Sequence, residues 1–339
     1  MSRFKLSVVI IAHNEEEPIA NTIRSVMKAA SQARELLKSY EIILVDDNSS
    51  DKTVDIASRF PITILQHERQ LGPSAARYTG HKYAAPDADY LLFVDGDTTL
   101  SEDWLPKAVQ YMLGRPNVAG VSGNIVKILG TTTSNPRYIK FPTGTLYGSP
   151  QRDLHGGAAI YRKKVLDQAG SFDPWVLGSE ELELGFRIRQ KNFELHSLNI
   201  LIAFHHLKKK EDNVFHRINF YRGVGQLLRV YRGTPLALEL LQIYFFNFFV
   251  FGWIVICMPV ALLSLLGLIH PLLWAVIAVI SVLGYLATAG LKGGFSKAAT
   301  ILIVKFLGFF GILVGLTKKR GNTTFPSARL LKKGVQISI

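Results

Sequence analysis

Three groups of carboxylates in this chain stand where they could do chemistry. Asp95-Gly96-Asp97 directly follows the apolar run Tyr90-Leu91-Leu92-Phe93-Val94, so two carboxylates flank a glycine that leaves the backbone free to turn. Oxygen donors of this kind suit Mg2+ or Mn2+ held against a diphosphate, where the cation neutralises charge on a departing group. Asp46 and Asp47 close a second apolar run, Ile42-Ile43-Leu44-Val45. Adjacent carboxylates repel, so at least one needs a partner: a base N–H, a ribose hydroxyl or an arginine. A helix-capping turn is the other reading. Arg77, after Gly72-Pro73-Ser74, is a candidate contact for a nucleotide or belongs to a solvated face. Glu180-Glu181-Leu182-Glu183-Leu184, with Arg187 and Arg189, forms the third group. A carboxylate at its start can take a proton as general base. Equally, Glu183 and Arg187 form an ordinary i,i+4 surface pair. His155-Gly156-Gly157 allows close backbone approach to a ligand, and His205-His206 offers a metal ligand, a phosphate contact or a plain surface pair.

These residues need elements to hold them. Leu6–Ile11, Ile42–Val45, Ile62–Gln66 and Tyr90–Val94 read as buried strands. Helical spacing runs over 15–38 with Pro18 in the first turn, from Lys52 to Phe60, and over Ala75–Tyr83. The alternation predicts an α/β domain with a mostly parallel sheet, whose ligands bind at the carboxyl ends of strands. Asn14-Glu15, Asp46-Asp47 and Asp95-Gly96-Asp97 all fall there. Glu181, Leu184 and Ile188 predict a helix, and 130–153, rich in Thr, Gly, Pro and Ser, reads as a long loop over a cleft.

The formal charge of +13 is local. Residues 1–204 hold 23 basic and 23 acidic residues, whereas 205–235 hold 7 against 2 and 318–339 hold 6 against none. Between them, Leu240–Leu291 is 52 residues without Asp, Glu, Lys or Arg, where a bilayer span needs about 20. The pattern predicts spans at 240–268 and 272–291 around His270-Pro271. A third span or interfacial helix follows at 295–317, interrupted by Lys297 and Lys305. On this reading 205–239 is a basic interfacial linker with Leu227 facing lipid, and 318–339 is a basic cytosolic tail. Both meet anionic lipids of a plasma (bacterial inner) membrane that the chain crosses more than once. Met1-Ser2-Arg3-Phe4-Lys5 lacks the apolar core of a signal peptide, so residues 1–204 are expected on the cytosolic side. The single cysteine, Cys257, rules out an internal disulfide and a zinc site of several thiolates. No recognition motif supports nucleic acid as a partner.

Ser7-Val8-Val9-Ile10-Ile11-Ala12-His13-Asn14-Glu15-Glu16, Leu44-Val45-Asp46-Asp47-Asn48-Ser49-Ser50-Asp51 and Phe93-Val94-Asp95-Gly96-Asp97 together resemble the family 2 glycosyltransferases of GT-A fold, over residues 5–205. The resemblance implies a Rossmann-like nucleotide-sugar-binding domain at 1–204. Ala12, Asn14, Glu15, Asp46 and Asp47 would border the nucleoside, with Arg77 against base or phosphates. Asp95, Gly96 and Asp97 would hold metal and diphosphate, and His205, read from the sequence alone, is the candidate for a further metal ligand. Gly156, Gly157, Glu180 and Arg187 would border sugar and acceptor. Glu181 falls where the family has an aspartate base, which implies inverting transfer from a donor, commonly UDP-linked, to a hydroxyl of a lipid-linked saccharide or other membrane-associated acceptor. Gln226-Leu227-Leu228-Arg229 matches part of the family's Gln-x-x-Arg-Trp acceptor element, but Val230 replaces its Trp. That departure argues against a processive synthase. Transfer to a polyprenyl phosphate, and a noncatalytic nucleotide-sugar-binding protein, are the competing readings. Self-association into a homo-oligomer is left open.

Overall fold

The computed structural model describes residues 3–129, 137–141, 149–207, 214–268, 270, 272, 276, 294–319 and 325–338. It divides into two compact units, Met1–Asp212 together with Gly321–Ile339, and Asn213–Arg320.

The first unit is built on strands that are apolar on both faces. β1 (Phe4–Ala12) lies between β2 (Leu37–Asp46) and β4 (Tyr90–Asp95), with β3 (Thr63–His67) beyond β2, all parallel. Side chains alternate across a strand, so β1 feeds two cores. Val8 and Ile10 pack with Ile19, Ile23 and Val26 of α1 (Ile19–Gln32) and with Trp104 of α4 (Trp104–Leu113). Val9 and Ile11 pack with Ala76 of α3 (Pro73–Tyr83) and with Leu184 and Ile188 of α6 (Glu180–Arg189). Helices on both faces explain why these strands read as unbroken apolar runs. The sheet continues through β9 (Ala158–Arg162), antiparallel to β4, then β6 (Val118–Leu129) and β10 (Glu194–Leu207), to β5 (Thr98–Leu100). Short helices α2 (Thr53–Ala57) and α5 (Lys163–Ala169) fill connections.

The expected helix over 15–38 is shorter at both ends. Residues 14–16 instead bond the turn at 49–53, and Leu37 already belongs to β2. The loop expected at 130–153 contains β7 (Arg137–Phe141), paired with β6, and β8 (Ser149–Gln151), paired with β10; 130–136 and 142–148 lie outside the described residues. The C-terminal segment is not a free basic tail. β11 (Ala328–Lys332) adds antiparallel to β3 and β12 (Ile337–Ser338) to β2. Lys332 donates to the Ser58 carbonyl at 2.6 Å, and Phe325 stacks on Tyr78 at 5.4 Å. Lysine and arginine on an outermost strand are common protection against further pairing.

The second unit consists of α7 (Val214–Val230), α8 (Pro235–Ile243), α9 (Phe245–Leu265) and α10 (Gly294–Thr317). α7 and α10 meet through glycines: a Cβ on Gly225 would lie 2.0 Å from the Ile312 carbonyl, and one on Gly315 2.1 Å from that of Arg222. Among the described residues no helix is long and apolar enough to cross a membrane. This overturns the expected transmembrane region and multi-pass membrane placement. Among the described residues the uncharged run is not one apolar rod: it breaks at Tyr244, α9 ends at Leu265 ahead of Gly267 (φ 70°), and α9 holds Pro259 and the buried Asn247. Lys305 of α10 reaches Asn247 Oδ1 at 3.4 Å, a polar pair inside the unit. The expected span 272–291 falls outside the described residues except for Leu272 and Val276. Leu227, expected to face lipid, is buried within its own unit.

Gly80 lets α3 lie directly on β1, since a Cβ there would stand 2.2 Å from Val9 Cγ1. Gly80→Ala is expected to destabilise the protein by about 1–3 kcal/mol through overpacking; a lowered midpoint in chemical denaturation checks it.

Candidate active site

The carboxyl ends of β1, β2 and β4 carry the polar residues. The Asp47 N–H donates to the Ala12 carbonyl (2.8 Å), joining the β1 and β2 ends. Asn14, at φ 57°, donates its N–H to Ser49 Oγ and accepts from Ser50 N–H, each at 2.8 Å. The Glu15 N–H donates to Thr53 Oγ1 at 2.7 Å. The Asp47 carboxylate accepts from His67 Nδ1 (2.7 Å), Leu71 N–H (2.8 Å) and Gly72 N–H (2.7 Å). It thereby fixes the entry into α3, where Gly72 has φ 95°. His67, missed in the sequence, gives Asp47 its partner within the protein. Asp46 Oδ2 accepts from Ser49 N–H and Gln66 Nε2, while its buried Oδ1 has no partner. Gly96 is dictated by packing: a Cβ would meet Ala12 Cβ at 2.9 Å and the Ile11 carbonyl at 3.0 Å.

Arg77 is only 3% exposed and lies among acidic groups. Nη1 donates to Glu180 Oε1 (2.8 Å) and is 3.4 Å from Glu181 Oε1. Nη2 donates to Asp95 Oδ1 (2.8 Å) and to the Gly156 carbonyl (3.1 Å), and the guanidinium lies 5.6 Å from the Phe172 ring centroid. Both terminal nitrogens are thus engaged within the protein, while Nε has no partner. Burial opposes the charged form of Arg77, but Asp95, Glu181 and Glu180 carry its pKa above the ordinary value. Burial raises the Asp95 carboxyl to about 6, with Asp97 adding to the rise and Arg77 opposing it. Glu181 rises further, to about 8, through burial and then the neighbouring Glu180, again against Arg77.

Asp97 Oδ2 meets His205 Nε2 at 2.8 Å, and His205 Nδ1 is buried without a partner. Burial disfavours the charged imidazole, yet the bond to Asp97 raises its pKa overall. Among the described residues no three His, Cys, Asp or Glu side chains converge closely enough to hold a metal; Asp95 Oδ1 is bonded to Arg77. The donor set still suits a divalent cation. Two or three carboxylate and imidazole donors leave the rest of a six-ligand shell to diphosphate and water, as Mg2+ prefers.

Glu181 and Gly156 line a cavity of about 350 Å³ together with Ser122, Gln151, Asp153, Leu154, His155 and Ser197. Gly156 is the true close approach, since a Cβ would lie 1.9 Å from Glu181 Oε1 and 2.8 Å from Arg77 Nη2. Gly157 is less tight, with 3.5 Å from such a Cβ to Asp95 Oδ2, and its carbonyl accepts the Asp95 N–H. His155 is held neutral by burial and by His205, its pKa lowered to about 4. Arg187 lies away from this group: it pairs with Glu183 and donates to the carbonyls of Ala169 and Ser171 (2.7 Å for Ser171), tying α6 to the end of α5. Gln226 and Arg229 belong to the other unit. There Arg229 donates to the Leu316 (3.1 Å) and Thr317 (2.9 Å) carbonyls at the end of α10, and Gln226 to that of Lys319 (3.2 Å). A cation at a helix C-terminus satisfies open carbonyls, so these two acceptor candidates have a structural explanation.

Comparison with known proteins agrees with this geometry. Residues 7–170 match the family described as glycosyl transferase family 2. The chain is 25% identical over 206 residues to the pre-mycofactocin glycosyltransferase of Mycobacterium tuberculosis, covering 57% of this chain and 43% of that protein. It is 27% identical over 208 residues to the glycosyltransferase AglE of Haloferax volcanii, covering 59% and 66%. The matched segment thus spans less than half of the first of these relatives and about two thirds of the second. Among solved structures, the mannosyltransferase PcManGT from Pyrobaculum calidifontis, in complex with GDP-Man and Mn2+, superposes with TM-score 0.65 at 16% identity, over 94% of this chain and 88% of that one. This likeness establishes the GT-A-type fold.

Two substitutions test the arrangement. Arg77→Met keeps the stem but strands buried carboxylates, and is expected to destabilise the protein by about 3–5 kcal/mol, read as a denaturation midpoint. Gly156→Ala displaces the Glu181 carboxylate by roughly 1 Å or more, and a turnover loss of about 100-fold is expected. An unchanged circular dichroism spectrum would show that the fold survives.

Proposed function

We propose, from the premise that residues 7–170 are a glycosyltransferase family 2 domain on a GT-A-type fold, that the chain transfers a sugar from a nucleotide-sugar donor to an acceptor hydroxyl with inversion. One observation carries the reading. Arg77 gathers Asp95, from the end of β4, and Glu180 and Glu181, from the start of α6, while Glu181 borders a cavity.

In the proposed reaction the acceptor oxygen forms a bond to the anomeric carbon as its proton passes to Glu181. The bond from that carbon to the diphosphate oxygen breaks, and the electron pair leaves with the nucleoside diphosphate. A single displacement inverts the centre and needs no covalent enzyme intermediate. A carboxyl with pKa about 8 is poised close to working pH, where general base catalysis is most effective. Arg77 positions Glu181 through Glu180, and the Gly156 backbone leaves room for the carboxylate. Asp97 and His205, with Asp95 beside them, would hold a divalent cation. When bound, that cation supplies charge neutralisation for the departing diphosphate. The end of β2, with the unpartnered Asp46 Oδ1 and the Asn14 turn, supports binding of the nucleoside. The Pyrobaculum structure contains GDP-Man and Mn2+. GDP-mannose therefore joins the UDP-linked sugars expected from the family resemblance as a candidate donor, and lipid-linked saccharides are among the candidate acceptors.

The test is nucleoside diphosphate release across a panel of UDP- and GDP-sugars, with Mn2+ and then with chelator, in parent protein and variants. Glu181→Gln is expected to lower turnover by about 10²–10⁴-fold, and Asp97→Asn to lower it with loss of Mn2+ stimulation. Because the base acts deprotonated, kcat/KM is expected to rise with pH up to about 8 and level off above it. Full turnover in Glu181→Gln, with the same pH profile, would remove Glu181 from the mechanism.

A further inference from the structure

Resting on the glycosyltransferase reading above, we propose that the C-terminal segment 325–338 is a positioning element of the donor site, and that it acts through His67 on the Asp47 carboxylate. The parallel ladder between β2 and β3 ends at the pair Asp46 and Gln66. His67 lies one residue beyond it, and among the described residues its strand partner is Ala328 of β11. From that place the buried imidazole meets Asp47 Oδ1 at 2.7 Å through Nδ1 and Thr79 Oγ1 at 2.9 Å through Nε2. Without β11, β3 would be an outermost strand held by four pairs to one neighbour, with His67 past the end of the ladder. Strand ends of that kind open locally at little cost.

The segment is seated along its length. Phe325 stacks on Tyr78 of α3, and Lys332 Nζ donates to the carbonyls of Ser58 (2.6 Å) and Phe60 (2.5 Å). The Gly334 N–H donates to Thr63 Oγ1 (3.0 Å), and Gln336 Nε2 to Ser39 Oγ (2.9 Å). Glycine is required at 334, because a Cβ would lie 2.4 Å from both Ile62 C and Thr63 N. Ala328 packs against the core under α3 and α6, and Ile337 against the core under α1 and α4. Covering a sheet edge would by itself explain a terminal strand. The register adds something that edge cover does not need. Two successive residues of β11, Ala328 and Arg329, stand opposite His67 and Gln66, and Gln66 Nε2 donates to Asp46 Oδ2 at 2.9 Å. The segment therefore backs the two side chains that hold the two aspartates at the end of β2. A displacement of about 1 Å in such a group can cost up to about 100-fold.

The experiment uses the full chain and a double-mutant cycle. Binding of UDP and of GDP, each with Mn2+, is measured by calorimetry in the parent, Gly334→Val, His67→Leu and the double variant, with donor KM and kcat beside it. Gly334→Val is expected to unseat the segment, read as lost hydrogen-exchange protection over residues 64–67. In each single variant the Kd and the donor KM are expected to rise about tenfold, the effect of losing about one hydrogen bond, with kcat within about twofold. The double variant is expected to show about the same tenfold rise, because changes that act through one shared contact do not add. Lys332→Met repeats the cycle with a milder change in case Gly334→Val does not fold. An additive rise of about 100-fold in the double variant overturns the proposal, since the segment then acts independently of His67. So does unchanged affinity where protection is lost, retained protection in both segment variants, or a fall in kcat at unchanged KM. Binding by the parent separates the two levels. If it binds UDP or GDP and the variants match it, only this inference is lost; if it binds neither and turns over no donor, the glycosyltransferase reading fails first.

Discussion

The site depends on one buried cation. Arg77 has little solvent to share, and its fork is divided among Glu180, Asp95 and the Gly156 carbonyl. Each partner belongs to a different part of the first unit: the start of α6, the end of β4 and the turn before β9. Bringing several carboxylates out of water is costly, and only a charge of opposite sign with well-directed donors offsets it. Arginine suits this place better than lysine, because a planar fork serves three acceptors at once and stays charged when buried. Its Nε remains without a partner, a residual cost accepted where the rest of the fork is satisfied.

From that constraint follows the electrostatic character of the site. Asp95, Asp97, Glu180 and Glu181 face one guanidinium and the His205 imidazole, so acidic groups outnumber basic ones. The raised pKa values of Asp95 and Glu181 come first from burial, with neighbouring carboxylates adding to the rise and Arg77 opposing it. Such a site gains from a divalent cation and tolerates a carboxyl that titrates close to neutral pH. The two properties divide by position. The cation-suited donors lie after β4 and on β10, whereas the proton acceptor opens α6 beside the cavity. Glycines make both possible, Gly96 by close packing on β1 and Gly156 by clearing room for Glu181.

The correction to the membrane reading has a physical lesson. A charge-free run constrains composition but not continuity. Asn247 and Pro259 leave the run uncharged although both lie inside α9, and the break at Tyr244 separates α8 from α9. Arg229 and Gln226 show the converse. Their spacing resembles an acceptor motif, while their side chains satisfy carbonyls at the end of α10.

Much of the fold was legible in the sequence, because the four parallel strands are apolar on both faces and end in acidic or turn-forming residues. The family resemblance added the GT-A fold on the strength of three contiguous segments. Local pattern thus determined that Asp46-Asp47 and Asp95-Gly96-Asp97 would stand at strand ends, where backbone direction alone sets their position. It did not determine their partners. His67 meets Asp47 across 20 residues, Arg77 meets Glu180 across 103, and Ser122 adjoins Ser197 only through the register of β6 and β10. The C-terminal strands were hidden for the same reason, as their partners lie more than 250 residues earlier. Periodicity reports which face of an element is buried, a property of neighbouring residues. Only the tertiary structure decides which charges meet, because that depends on how distant segments are packed together.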